Sequence, residues 1–218
     1  MSKVGITLTG VDERTTWPQI SELIYGGAEI GILYKFSPDG RNRYPRLSWI
    51  LDILDEAGEH CAVHICGNRA RTQLLAGKLH QSIAKAKRVQ VNGALLPSDL
   101  AKICGYCNQE VITQHCNKND ILRFLTSVPG SNHALLVDGS GGRGITPDCW
   151  NRPRTAKQVG FAGGLGPDNL ATELPKIAAV AIGDWWIDME GKLRDDDWFD
   201  VSKAKRCLEI FNEWLARQ

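Results

Sequence analysis

The chain lacks any apolar run close to the roughly 18 residues that a membrane span needs, so no spanning helix is expected. Its first residues, MSKVGITLTG, carry no signal-type apolar core and lead straight into a strand pattern. It also lacks an excess of one charge. Its 26 Lys and Arg against 25 Asp and Glu leave a net charge of +1, with no basic stripe, which argues against nucleic acid as the main partner. No GxGxxG follows the first strand-like run, which counts against a dinucleotide fold. No low-complexity tract and no shift in composition marks a boundary, so residues 1–218 are expected to form one domain. Cysteine is present but unpatterned. The seven are odd in number and scattered, and Cys61 and Cys207 sit in apolar periodic segments. Buried thiols in a reducing, cytoplasmic compartment are the expectation.

What is present is alternation. Short apolar runs read as strands at Val4–Leu8, Glu29–Tyr34, Ala62–Cys66, Val89–Asn92, Glu110–Gln114, Ala134–Asp138, Val159–Ala162 and Trp185–Met189. They are apolar on both faces, as strands buried on both sides should be. Helices are predicted between them at Trp17–Tyr25, Arg46–Ala57, Arg71–Ala86, Ser98–Tyr106, Lys118–Ser127, Cys149–Thr155, Pro167–Val180 and Val201–Ala216. The last carries a stripe of Ala204, Cys207, Leu208, Phe211 and Leu215. Eight strands alternating with helices predict an α/β fold, a single (β/α)8 TIM barrel. An open doubly wound sheet is the alternative. At 218 residues the barrel is compact beside the usual length of about 250.

Two stretches carry the strongest functional signal, LLVDGSGGRGIT at Leu135–Thr146 and VGFAGGLGPDN at Val159–Asn169. The first ends a strand in Asp138 and opens a glycine-rich loop that contains Gly142. The second ends in Gly163-Gly164 and leads into a helix start at Pro167. Glycine admits close backbone approach and a helix N-terminus favours an anion, so this turn reads as a phosphate anchor. His64 and Cys66 share one face at the end of strand three, and Gln90 and Asn92 share one at the end of strand four. His115 closes strand five. These are expected to ring one pocket, with His64, His115 and Cys66 as acid–base candidates. Arg41 and Arg43, in the long loop after strand two, are candidates for holding a carboxylate. Asp188 and Gly191 end strand eight, with Glu190 between them and Arg194 close behind. Two acids there would repel a phosphate unless Arg194 neutralises them or they point away. A tryptophan near the strand ends is a candidate wall for a flat ligand, beside the ordinary packing role expected of most of the seven. Cys104-Gly-Tyr-Cys107 falls late in a predicted helix, and two ordinary helix cysteines is the favoured reading over a redox or zinc pair.

These residues, with RVQVNG at strand four and ILYKFSPDGRNRYP at the end of strand two, resemble the phosphoribosylanthranilate isomerase family. The match is close from about Val89 to Asp188. The resemblance implies a (β/α)8 fold and the rearrangement of an aminoaldose phosphate to an aminoketose phosphate, with Asp138 as general acid. The family's base, a strand-one cysteine, falls on Thr7 here. Its strand-four histidine is Asn92, and its serine-glycine phosphate loop is Glu190-Gly191. The expected activity is therefore isomerase-like, on a phosphorylated sugar derivative. The base would come from His64, His115 or Cys66, and the phosphate would sit at Gly163-Gly164. A non-catalytic binder of a phosphorylated metabolite is one alternative. A barrel lyase or aldolase using Lys35 is another. No cofactor or metal is expected, and the protein is expected to be a monomer or homodimer.

Overall fold

A computed structural model of the chain describes residues 2–37, 40–79, 81–116 and 132–218. Eight parallel strands close a barrel in chain order. They are β1 Val4–Thr9, β2 Glu29–Lys35, β3 Cys61–Cys66, β4 Arg88–Val91, β5 Glu110–His115, β6 His133–Asp138, β7 Val159–Ala162 and β8 Trp185–Met189. Around them lie α1 Trp17–Tyr25, α2 Leu47–Ala57, α3 Asn68–Leu75, α4 Pro97–Tyr106, α5 Leu170–Ala178 and α6 Val201–Leu215. The barrel follows from the strand sequences. Ile30, Ile32, Val63, Ile65, Val89 and Val91 are fully buried and belong to the cluster that joins the strands to Ile20, Leu23, Ile50, Leu54 and Leu74 of the helices. Each such side chain contributes about 1.5–3 kcal/mol of burial energy.

Several predicted helices change. The stretch expected as Arg71–Ala86 is helical only to Leu75, because Gly77 turns the chain at a φ of +69°. Cys149–Thr155 is not helical. Trp150 there donates from its indole to Glu173 at 2.8 Å and packs edge-on to Phe161. The helix expected from Pro167 begins at Leu170. The Lys118–Ser127 helix lies outside the described residues. In α6, Ala204, Cys207, Leu208 and Phe211 are buried as expected, while Leu215 is 39% exposed and leaves the stripe. After β8 the chain forms a small hairpin, β9 Arg194–Asp195 with β10 Trp198–Phe199. Its two turn residues, Asp196 and Asp197, have φ values of 43° and 69°, the left-handed pair that a tight hairpin turn demands.

Inside the barrel, the N-terminal half is filled by charge rather than by an aliphatic layer. Arg88 donates to Glu29 Oε1 from Nε at 3.0 Å and from Nη2 at 2.5 Å, to Glu110 Oε2 at 3.3 Å and to Thr7 Oγ1 at 3.1 Å. Its guanidinium carbon lies 4.3 Å from the centre of the Trp186 ring. Burial works against the charge, but the Glu29 and Glu110 carboxylates more than restore it, and the Arg88 guanidinium sits above its ordinary range. Trp186 belongs to a second apolar cluster with Ile112, Ala134, Leu136 and Ala162. It fits because strand seven offers Gly160 opposite it, where any Cβ would overlap the indole. Removing Arg88 takes from the half-buried Glu29 its closest cation and leaves it Lys87 at 3.8 Å and the Thr7 hydroxyl. Arg88→Met should therefore cost about 3–5 kcal/mol in urea unfolding at pH 7. A loss below about 1 kcal/mol would show that the plug does not hold the barrel together.

Candidate active site

Strand residues alternate between barrel interior and helix layer, so each strand can offer only every second side chain to the C-terminal mouth. Thr9, His64, Gln90, Gln114, Asp138 and Asp188 take those positions. They line a cavity of about 280 Å³ together with Asn92, Arg43 and the glycine-rich loops. Gly142, Gly163, Gly164 and Gly191 are among the loop residues. The structure thus brings together most of the residues singled out in the sequence.

Asp138 organises the loop that follows it. Its Oδ1 accepts from the Ser140 backbone at 3.0 Å and the Ser140 hydroxyl at 2.7 Å. Its Oδ2 accepts from Gln114 Nε2 at 2.7 Å and the Gly142 backbone at 2.6 Å. A carboxylate has about four lone-pair positions, and all are in use. Gly142 has a φ of +86°, which lets the loop curl back on the carboxylate. Gly164, at +58°, packs so tightly against this loop that a Cβ would lie 2.6 Å from Thr146 N and 2.7 Å from Gly144 O. Asn169 ties the two loops by donating to Thr146 Oγ1 at 3.1 Å and Gly164 O at 2.9 Å. The turn expected to run directly into a helix N-terminus is separated from α5 by Gly166–Asn169, where Asn169 Oδ1 accepts from Gly166 N at 2.9 Å.

Across the mouth, Asp188 is held differently. Thr9 donates to its Oδ1 at 2.7 Å, and its Oδ2 lies 3.9 Å from His64 Nε2. Burial pushes the Asp188 carboxyl up to about 7. The Glu29 and Asp138 carboxylates push the same way, against the Thr9 hydroxyl and Arg88. Burial pushes the His64 imidazole down to about 4. His64 is therefore neutral at pH 7, and its Nδ1 is 3.1 Å from Gln90 Nε2. Gln90 Nε2 also donates to Asn92 Oδ1 at 2.9 Å, and Asn92 Nδ2 donates to Cys66 Sγ at 3.5 Å.

The strand-two and strand-eight loops meet over one side of the cavity. Arg43 donates to Asp197 Oδ1 at 2.5 Å and to Glu190 Oε1 at 3.0 Å. Arg194 donates to the same Glu190 oxygen at 3.3 Å and to the Asp197 carbonyl at 2.9 Å. Glu190 is thus neutralised by two guanidiniums, which answers the repulsion expected of the strand-eight acids.

Several expectations need correction. His115 does not face the cavity. Gln114 takes the inward position, so His115 points to the helix side, where its Nε2 lies 2.7 Å from Thr113 Oγ1. That hydroxyl also meets His133 Nε2 at 2.8 Å. Cys66 stands at the rim, outside the cavity lining, with burial holding its thiol up to about 12, so it is no thiolate base. Arg41 is exposed away from the cavity, and Arg194 is buried behind Glu190 rather than lining it. The strand-one residue that reaches the mouth is Thr9. Thr7 lies a layer lower, bonded to Glu29 at 3.0 Å and to Arg88. Lys35 is also outside the lining, its Nζ 5.2 Å from the Tyr44 ring centre. Trp186 walls the opposite end of the barrel rather than the mouth. The thiols of Cys104 and Cys107 are both pushed up to about 11 by burial. Thr9 and Gln114 escaped the sequence reading, although counting by twos from Ile112 would have found Gln114.

A carboxyl whose folded pKa is raised binds a proton that the unfolded chain has already released. Asp188 therefore costs stability as pH rises from about 4 to about 7. Asp188→Asn removes that cost. Its stability relative to the parent should improve between pH 4 and pH 8 by on the order of 4 kcal/mol, read from denaturant midpoints at both pH values. A pH-independent difference would contradict the raised carboxyl.

No protein-family model matches the sequence, and no curated protein matches it. Solved structures do resemble it. A phosphoribosylanthranilate isomerase from Thermus thermophilus is 18% identical, with 96% of this chain and 99% of that one covered and a TM-score of 0.69. A phosphoribosylanthranilate isomerase in complex with reduced 1-(o-carboxyphenylamino)-1-deoxyribulose 5-phosphate is 17% identical, with coverage of 96% and 99% and a TM-score of 0.70. The 3-hexulose-6-phosphate synthase of Salmonella typhimurium is 14% identical, with coverage of 98% and 99% and a TM-score of 0.55. At these identities the likeness establishes the (β/α)8 barrel and leaves the reaction to the site itself.

Proposed function

We propose that this chain is an isomerase-type enzyme that takes a small phosphorylated sugar derivative into the C-terminal mouth of its barrel and moves a proton on it. The observation that carries the reading is Asp188, a buried carboxyl raised to about 7 beside the neutral imidazole of His64. A group that is half protonated near neutrality can both give and take a proton. Asp138, expected from the sequence to be the acid, has its lone pairs engaged by Ser140, Gln114 and Gly142. Its role in this reading is to set the Gly142 loop against Gly163-Gly164, the glycine edge proposed to receive the phosphate. Similar barrels that act on or bind sugar phosphates support the substrate class.

A second reading, a binder without turnover, draws on Glu190. That carboxylate occupies the Arg43 and Arg194 guanidiniums that a substrate acid would otherwise use. Assay of the purified protein with phosphoribosylanthranilate, and complementation of a strain lacking that isomerase, separate the two. For the enzyme, kcat/KM should show an inflection near pH 7, and Asp188→Asn should lower it at least about 100-fold while the fold persists. Stabilisation by ribose 5-phosphate with no turnover of the substrate favours the binder.

A further inference from the structure

At the floor of the mouth cavity, two buried polar atoms have no hydrogen-bond partner, His64 Nε2 and Gln90 Oε1. Both residues line the cavity, and they are 2% and 3% exposed. An unmet buried donor or acceptor is costly, so this pair is expensive unless something meets it. Their polarity is linked. Gln90 turns its amide nitrogen toward His64 Nδ1 and Asn92 Oδ1. That leaves Nδ1 an acceptor, puts the ring proton on Nε2, and leaves Gln90 Oε1 an acceptor. If the amides of Gln90 and Asn92 are both turned over, Nδ1 becomes the donor, Nε2 the acceptor, and Gln90 presents its nitrogen instead. In either arrangement the two residues offer one donor and one acceptor. A carbonyl, which only accepts, satisfies half of that pair. A hydroxyl satisfies both.

A third group, Asp188, lines the same cavity beside His64. His64 Nε2 and Asp188 Oδ2 are 3.9 Å apart, too far for a direct bond. An oxygen set to one side can lie about 2.8 Å from each. We infer that His64 and Gln90, beside Asp188, form a subsite for one sugar hydroxyl, and that this subsite selects hydroxylated sugar phosphates over their deoxy analogues. The inference rests on the phosphorylated-sugar reading above and specifies what that sugar must carry at the cavity floor. A site built to bond a hydroxyl rejects a ligand that lacks it strongly, because its own buried groups are then left unmet.

Calorimetric titration of the whole protein with ribose 5-phosphate and with its 2-deoxy and 3-deoxy analogues tests this. One deoxy analogue should bind about 10- to 100-fold more weakly than ribose 5-phosphate. Gln90→Leu, checked for an unchanged fold by circular dichroism, should abolish that preference by weakening ribose 5-phosphate alone. His64→Phe, which removes the other orphan atom, serves as a second variant should Gln90→Leu not fold, and should likewise abolish the preference. If all three sugars bind within about twofold, the subsite is wrong while the phosphorylated-sugar reading stands. If none binds at millimolar concentration, both are wrong. A preference that survives in Gln90→Leu also overturns the assignment.

Discussion

The barrel depends on a buried guanidinium. Arg88 sits where most barrels place aliphatic side chains, and it stays charged because Glu110 approaches it from the adjacent strand β5 and Glu29 from β2, across the barrel interior. The arrangement is tolerable only when every partner is present, since each ion alone would face an uncompensated desolvation cost. It also sets the dimensions of everything above. The guanidinium lies over the Trp186 indole, the indole needs Gly160, and Thr9 needs Gly31. A glycine on one strand is therefore a consequence of the larger side chain beside it on the next strand. The plug closes the N-terminal half, and the polar cavity begins one layer higher.

Within that cavity the two aspartates have separate roles because their surroundings differ. Asp138 faces backbone and amide donors from its own loop and from strand five, so its oxygens serve as an anchor. Asp188 has one hydroxyl and one distant imidazole, and burial dominates it. Two acids at strand ends one strand apart, alike in the sequence, thus become a brace and a titrating group.

The sequence made the frame legible and the roles less so. Strand positions were readable because residues such as Ile30, Ile32, Val63 and Ile65 must be buried on a sheet covered on both faces. Gly142, Gly163 and Gly164 were readable because only glycine adopts those backbone angles cheaply. The choice between His115 and Gln114, and between Thr7 and Thr9, depends on knowing which strand residue is the first to point inward. A shift of one residue, or of one layer, moves a side chain out of the site. The Arg43–Asp197 contact joins residues 154 positions apart, and no local pattern announces it. The saturation of Asp138 was hidden for a similar reason, since half of its donors come from a different strand or from a loop that doubles back.

The Glu190 carboxylate has one more consequence. Because it is tethered beside Arg43 and Arg194, it acts as a competitor that is never diluted, at an effective concentration in the range of about millimolar. A ligand acid that reaches those guanidiniums must displace it. A doubly charged group has the larger Coulombic claim on two cations than a singly charged one. The internal carboxylate therefore works as a threshold, discriminating by charge before any fit of shape is felt, and discriminating less as added salt screens the exchange.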